Sequence, residues 1–269
     1  MTWRLAPENL SIGRRGVASV NDLSAPFANF LLPVLPVSDG VCPVCHSDIA
    51  GPYGLCFQCN AARAALPERA NAISFVALAA KHQQLARDLF TYKSEALGDE
   101  AIQVQMSLAA LLWRWLRDHE SCLANAVGVT DFPVVTSIPS LRATHPLRAM
   151  VGDMIAITKS RYEPLLKAGP SFNSERVCRV DMFEVTRSSR SKEPVLVIDD
   201  TFTTGSHVQS AAAALKRAGF GPVGVMCIGR HWAKKDDVRF AAASAEYLRR
   251  SKALGWNWEY CCLCDARSS

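Results

Sequence analysis

At 269 residues and 49% apolar, the chain can bury a full core, which excludes a disordered or purely solvating role. Its formal charge of +5 is mild, admitting a phosphate-bearing or nucleic-acid partner at a local basic patch without demanding one. No apolar run approaches the ~18 residues that span a bilayer, and Pro33 and Pro36 interrupt "FANFLLPVLPV", so the expectation is a cytoplasmic chain with no signal peptide and no anchor.

Residues 1–40 lack sustained periodicity and read as an irregular lead-in. Cys42-x2-Cys45 and, ten residues on, Cys56-x2-Cys59 follow as two knuckles. Four thiolates so spaced wrap one tetrahedral ion in a closed structural site, and zinc is the expected ion. His46 reads as a bystander. The apolar spacing of "LARDLF" and "AIQVQMSLAALLWRWL" predicts two helices, over 72–92 and 100–116, joined at "KSEALG".

"FPVVTSIPS" (132–140) predicts a strand and loop, and Leu147, Met150, Val151, Met154 and Ile155 mark a helix face behind it. The polar "TRSSRSKE" (186–193) reads as a mobile loop. "VLVIDD" (195–200) predicts a strand, followed by a loop and a helix from about Ser206 that turns Val208, Ala211, Ala212 and Leu215 inward and stops at Gly219. "VGVMCIG" (223–229) adds a further buried strand.

Strands alternating with helices, the strands continuously apolar, predict an α/β fold: a parallel sheet with helices on both faces and right-handed crossovers. Ligands bind such sheets beyond the carboxyl ends of the strands, where "IDDTFTTGS" and "IPSLR" fall. The expected division is a lead-in and metal module over 1–65, then an α/β domain with a cysteine-rich tail over 66–269.

The chemistry concentrates at 195–207, "VLVIDDTFTTGSH". A helix start offers unpaired N–H groups and a positive dipole end to a phosphate, Thr201, Thr203, Thr204 and Ser206 add hydroxyl donors, and Gly205 allows close approach. Asp199 and Asp200 would repel that phosphate head-on; they suit the hydroxyls of a neighbouring sugar or a divalent cation. A ribose 5-phosphate site meets both needs. A plain strand-to-helix turn needs only one capping residue.

This segment resembles the 5-phosphoribosyl-1-pyrophosphate (PRPP) motif of type I phosphoribosyltransferases. With the four-cysteine knuckle ahead of it, the chain from about 41 to 231 resembles the ComF family, the amidophosphoribosyltransferase-like proteins linked to competence and DNA uptake. The resemblance implies a type I phosphoribosyltransferase fold with a structural Zn²⁺ knuckle at Cys42, Cys45, Cys56 and Cys59, and PRPP bound with Mg²⁺ by Asp199, Asp200, Thr201, Phe202, Thr203, Thr204, Gly205, Ser206, Ser140 and Lys93.

"VVTSIPSLRATHPLRAMV" is similar to the family's pyrophosphate loop, and "SFNSERVCRVDMFEV" to its arginine-containing segment. Arg142 and Arg176 then meet pyrophosphate oxygens beside the catalytic aspartates, against the alternative that both, like Lys93, are solvated charges. "THPLR" departs from the family's run. The resemblance implies phosphoribosyl transfer from PRPP to a nitrogen nucleophile; its rival is a non-enzymatic PRPP- or nucleotide-sensing module that contacts DNA or a DNA-processing partner. In "WNWEYCCLCD", Cys261, Cys262 and Cys264 can join His231 or another donor in a second metal site, act in redox chemistry, or be buried thiols beside Trp256 and Trp258.

Overall fold

In chain order, β1 (Leu10–Ser11) and β2 (Val17–Ala18) pair antiparallel ahead of α1 (Val20–Ser24), whose start is a capping box between Ser19 and Asp22. The cysteine knuckles lead into α2 (Phe57–Ala65), followed by β3 (Ala72–Ala80), α3 (Gln84–Thr91), α4 (Gly98–Val127) and β4 (Val134–Ser137). α5 (Pro146–Ala149) runs through one π turn into α6 (Ala156–Lys159), and β5 (Leu166–Ala168) pairs antiparallel with β6 (Phe183–Val185). The chain then forms β7 (Val195–Phe202), α7 (Ser206–Arg217), β8 (Val223–Trp232) and α8 (Val238–Leu254). The computed structural model describes residues 10–11, 17–140, 145–172, 175–233 and 237–264.

The central sheet has the order β3-β8-β7-β4, every neighbouring pair parallel. Burial on both faces requires continuously apolar strands, and Val195 to Ile198 and Val223 to Ile228 are buried without a break. The two-residue period divides them. Leu196, Ile198, Met226 and Ile228 join the core beneath α4, while Val195, Val197, Val225 and Cys227 join the core that holds Val208, Ala211, Ala212 and Leu215 of α7. That second core also takes in Cys42, Cys45 and Ile49, so the four-cysteine module packs directly against the sheet.

Three expectations are corrected. Residues 72–80 form a strand, not the first turns of a helix. "AISFVALAA" is buried on both faces, and a short all-apolar run carries no period that separates the two states. The second helix runs past Leu116 to Val127, ending where Gly128 turns left-handed at φ +82°. The 186–193 segment is tied down: Ser189 N–H donates to Ala218 O at 3.0 Å, and Arg187 pairs with Glu163 and Glu193 at 2.7 and 3.0 Å.

The helix face behind β4 does bury Leu147, Met150, Val151, Met154 and Ile155. The lead-in buries Val20, Phe27, Leu31, Val34 and Leu35. Among the described residues no helix is long and apolar enough to cross a membrane.

Candidate functional site

β7 delivers two adjacent carboxylates to the carboxyl edge of the sheet, and the pleat sends them to opposite faces. Asp200 is 5% exposed, and its Oδ2 accepts the Tyr92 hydroxyl and lies 2.7 Å from Lys93 Nζ and 3.5 Å from His145 Nε2. Tyr92 and Lys93 follow the end of α3, and His145 caps the start of α5. Burial, and after it the Asp200 charge, push the Tyr92 hydroxyl well above its ordinary range, so it stays a donor.

Asp199 remains part-exposed. Its Oδ1 accepts the Asp200 N–H at 2.9 Å. Burial first, and the Asp200 charge second, push its carboxyl up to about 7.

The following loop turns on Gly205, at φ +82°. A Cβ there would stand 2.3 Å from the tip of the Phe202 ring, which is itself buried edge-on against Phe75 at 5.3 Å. Glycine therefore serves both the left-handed turn and the close approach that sets α7 over the ring. Thr204 Oγ1 donates to Ser206 Oγ at 3.2 Å and to Arg176 O at 3.4 Å and accepts the Ser206 N–H at 3.4 Å, while the N-cap position itself, Gly205, has no side chain to cap α7.

The α7 start, Asp199, Thr201, Thr203, Thr204 and Arg176 enclose a cavity of about 120 Å³. Burial, and after it the charges of Arg230, Arg176 and Lys81, hold the His231 imidazole below its usual range.

The expected site residues are thus partly reassembled. Asp199, Thr201, Thr203, Thr204, Gly205, Ser206 and Arg176 border one cavity. Lys93 meets Asp200 rather than solvent. Phe202 borders the same cavity, its ring buried in the core beneath the loop. Ser140 is half-buried beyond β4, and Arg142 lies outside the described residues.

Sequence reasoning did not single out Tyr92 or Arg230. The buried Arg230 guanidinium donates to Cys45 O, Phe202 O, Thr203 O and His231 O at 3.0, 3.4, 3.3 and 2.7 Å. A second cavity, about 950 Å³, opens beside the loop between the cysteine module and the end of β8; Thr203, Arg230, Ile49, Tyr53, Phe57 and Trp232 line it.

Cys42, Cys45, Cys56 and Cys59 converge with all four sulfurs within 4.8 Å of one another, a geometry that suits a zinc ion. The first knuckle is closed by Cys42 N–H to Ser47 O at 2.7 Å and His46 N–H to Cys42 O at 3.0 Å; Cys59 N–H points at Cys56 Sγ at 3.5 Å. His46 is a bystander, its Nδ1 donating to Leu35 O at 2.9 Å and its pKa lowered by burial.

A second group, His119, Cys122, Cys261 and Cys264, is as tightly gathered, within the same 4.8 Å. His231 is not in it, and Cys262 packs instead into the core on the other face of the sheet. The missing donors were readable as "HESC", a three-residue spacing that puts His119 and Cys122 on one face of α4. Nothing in the sequence joined them to a tail 140 residues away.

No family model matches the chain, and no curated protein or solved structure matches it either.

Proposed function

We propose that the chain binds PRPP at the carboxyl edge of its sheet and transfers the phosphoribosyl group to a nitrogen nucleophile with release of pyrophosphate. The observation that carries this reading is the cavity bordered together by Asp199, the threonine-rich loop, the start of α7 and Arg176. Its parts match the ligand. The helix start and the hydroxyls of Thr201, Thr203, Thr204 and Ser206 take the 5-phosphate, Asp199 accepts from ribose hydroxyls, and Arg176 faces the pyrophosphate oxygens.

Lys93 and Tyr92 hold Asp200 in place, so Asp200 acts on the sugar by fixing the strand end beside Asp199. Asp199 is the carboxylate placed to hold a Mg²⁺ ion beside the pyrophosphate, and such an ion would supply positive charge to the leaving oxygens. The C1–O bond to pyrophosphate breaks, its electron pair leaving with the pyrophosphate; a C1–N bond forms, and the acceptor gives up a proton. The larger apolar cavity shares Thr203 with the phosphate loop and is the space for the acceptor. In this reading the Cys42, Cys45, Cys56 and Cys59 group holds a structural zinc that shapes one wall of that space.

The test is thermal unfolding with PRPP and Mg²⁺, followed by pyrophosphate release with a panel of bases and amines. PRPP at a hundredfold its Kd stabilises by ~2.7 kcal/mol, and Asp199→Asn removes that shift. An unchanged melting temperature overturns the site. Stabilisation without turnover leaves binding in place and replaces the transferase with a PRPP sensor, whose salt-sensitive DNA binding is then measured.

A further inference from the structure

We propose that His119, Cys122, Cys261 and Cys264 form a second zinc site, which clasps the C-terminal segment to the long helix α4. Sulfurs ~2.3 Å and an imidazole nitrogen ~2.0 Å from zinc, placed on tetrahedral corners, lie ~3.5–3.8 Å apart. Cys122 and Cys264 sulfurs are 3.6 Å apart, and His119 Nδ1 is 3.7 Å from Cys264 Sγ and 3.9 Å from Cys122 Sγ. Cys261 and Cys264 sulfurs, at 3.1 Å, are inside that edge and far beyond the ~2.05 Å of a disulfide.

The surroundings of His119 are an independent observation that points to a metal. Its Nε2 lies 2.8 Å from Trp258 O. A carbonyl has no proton to offer, so Nε2 carries the hydrogen and Nδ1 presents its lone pair to the sulfurs. That second-shell bond is how metal-ligating histidines are oriented. The Trp115 ring, 4.2 Å from the imidazole, holds it from the side. Cys261 N–H points at Cys264 Sγ at 3.3 Å, and Cys264 N–H closes the Cys-x2-Cys turn on Cys261 O at 3.0 Å. One histidine and three cysteines, all four buried or half-buried, are a closed structural zinc set.

The clasp has a structural task. Beyond Leu254 the described chain has no regular secondary structure and is held by side chains: Trp256 donates to Val76 O at 3.1 Å and stacks on Trp115, and Arg114 lies 3.6 Å over the Trp258 ring. An ion shared by α4 and the tail joins positions some 140 residues apart in sequence, the kind of cross-link that restricts an unfolded chain most.

The experiment is zinc content per full-length chain, by native mass spectrometry and elemental analysis. Two zinc ions are expected in the parent protein and in Cys178→Ser, whose thiol is in neither group. Cys264→Ser and Cys42→Ser should each fall to one, and His119→Cys should keep two. A single zinc that survives Cys264→Ser and is lost in Cys42→Ser overturns the proposal. So does a mass deficit of two hydrogens mapping to a bond among Cys122, Cys261 and Cys264.

If Cys264→Ser does not fold, the parent protein still decides. With the clasp present, alkylation labels Cys122, Cys261 and Cys264 at least tenfold faster after chelation, and the 255–264 segment becomes open to protease. Equal labelling with and without chelator refutes it. None of these readouts involves PRPP, so this proposal and the transferase reading fail separately.

Discussion

Replacing Gly205 by alanine tests whether the loop is built on the Phe202 ring. Two costs apply. An L-residue in the left-handed region costs ~1–2 kcal/mol, and the new methyl, 2.3 Å from the ring tip of a buried phenylalanine, adds an overpacking cost of ~1–3 kcal/mol. The structure contains its own control. Gly128 has the same φ of +82°, and a Cβ there would meet nothing within 4 Å.

Gly128→Ala should therefore lose ~1–2 kcal/mol and Gly205→Ala ~2–5 kcal/mol in urea denaturation. Combining Gly205→Ala with Phe202→Leu should show a favourable coupling, because the shorter side chain vacates the space the methyl needs. If the two glycine variants unfold alike, or the double variant is additive, the ring does not support the turn and the loop's shape has another origin.

Four further outcomes follow from the same edge of the sheet. With its carboxyl at about 7 against an ordinary 3.8, Asp199 favours the folded state below about 3.8, and that contribution declines as pH rises to about 7; Asp199→Asn should flatten the stability profile over that window. Ligand binding runs the other way: from about pH 6 to about pH 8 the ionised fraction climbs from about a tenth to about nine tenths, so the Kd for PRPP measured by titration should fall ~10-fold. Lys93→Ala leaves the buried Asp200 carboxylate without its cation and should cost ~1–3 kcal/mol by denaturation, part of it recovered in Lys93→Ala with Asp200→Asn. Arg230→Met strips a buried cation from four carbonyls and should lower stability by ~3 kcal/mol while weakening PRPP protection in thermal unfolding.

The sequence disclosed what local chemistry alone specifies. "VLVIDDTFTTGSH" announced a strand, a turn and a helix start, because alternation, glycine and the helix cap are near-neighbour effects. The two-cysteine spacings announced a metal-shaped cluster for the same reason. What depended on distant partners stayed hidden. "AISFVALAA" looked helical because its strand character rests on β8 lying alongside it, and β8 comes more than 140 residues later. The partners of Asp200, Tyr92, Lys93 and His145, were not legible because they belong to other elements. His119 and Cys122 looked like ordinary residues of an amphipathic helix until the tail folded back beside them.

The same logic joins the cysteine module to the threonine-rich loop. A buried guanidinium without partners is costly to desolvate, and Arg230 meets that cost from two sides at once. It donates to Cys45 O and lies 3.7 Å from Cys45 Sγ, and it donates to the carbonyls of Phe202 and Thr203. Four thiolates around a divalent ion keep a net charge of −2, which a neighbouring cation partly offsets. Loss of an ion held there would therefore alter the charge beside Arg230, and through Arg230 the backbone that shapes the loop. The larger cavity lies along this connection, with Thr203 and Arg230 on one wall and Ile49, Leu55 and Cys56 on the other. The cysteine module is thus part of the pocket's architecture, and if the proposed zinc and PRPP both bind, zinc content and PRPP affinity are expected to vary together.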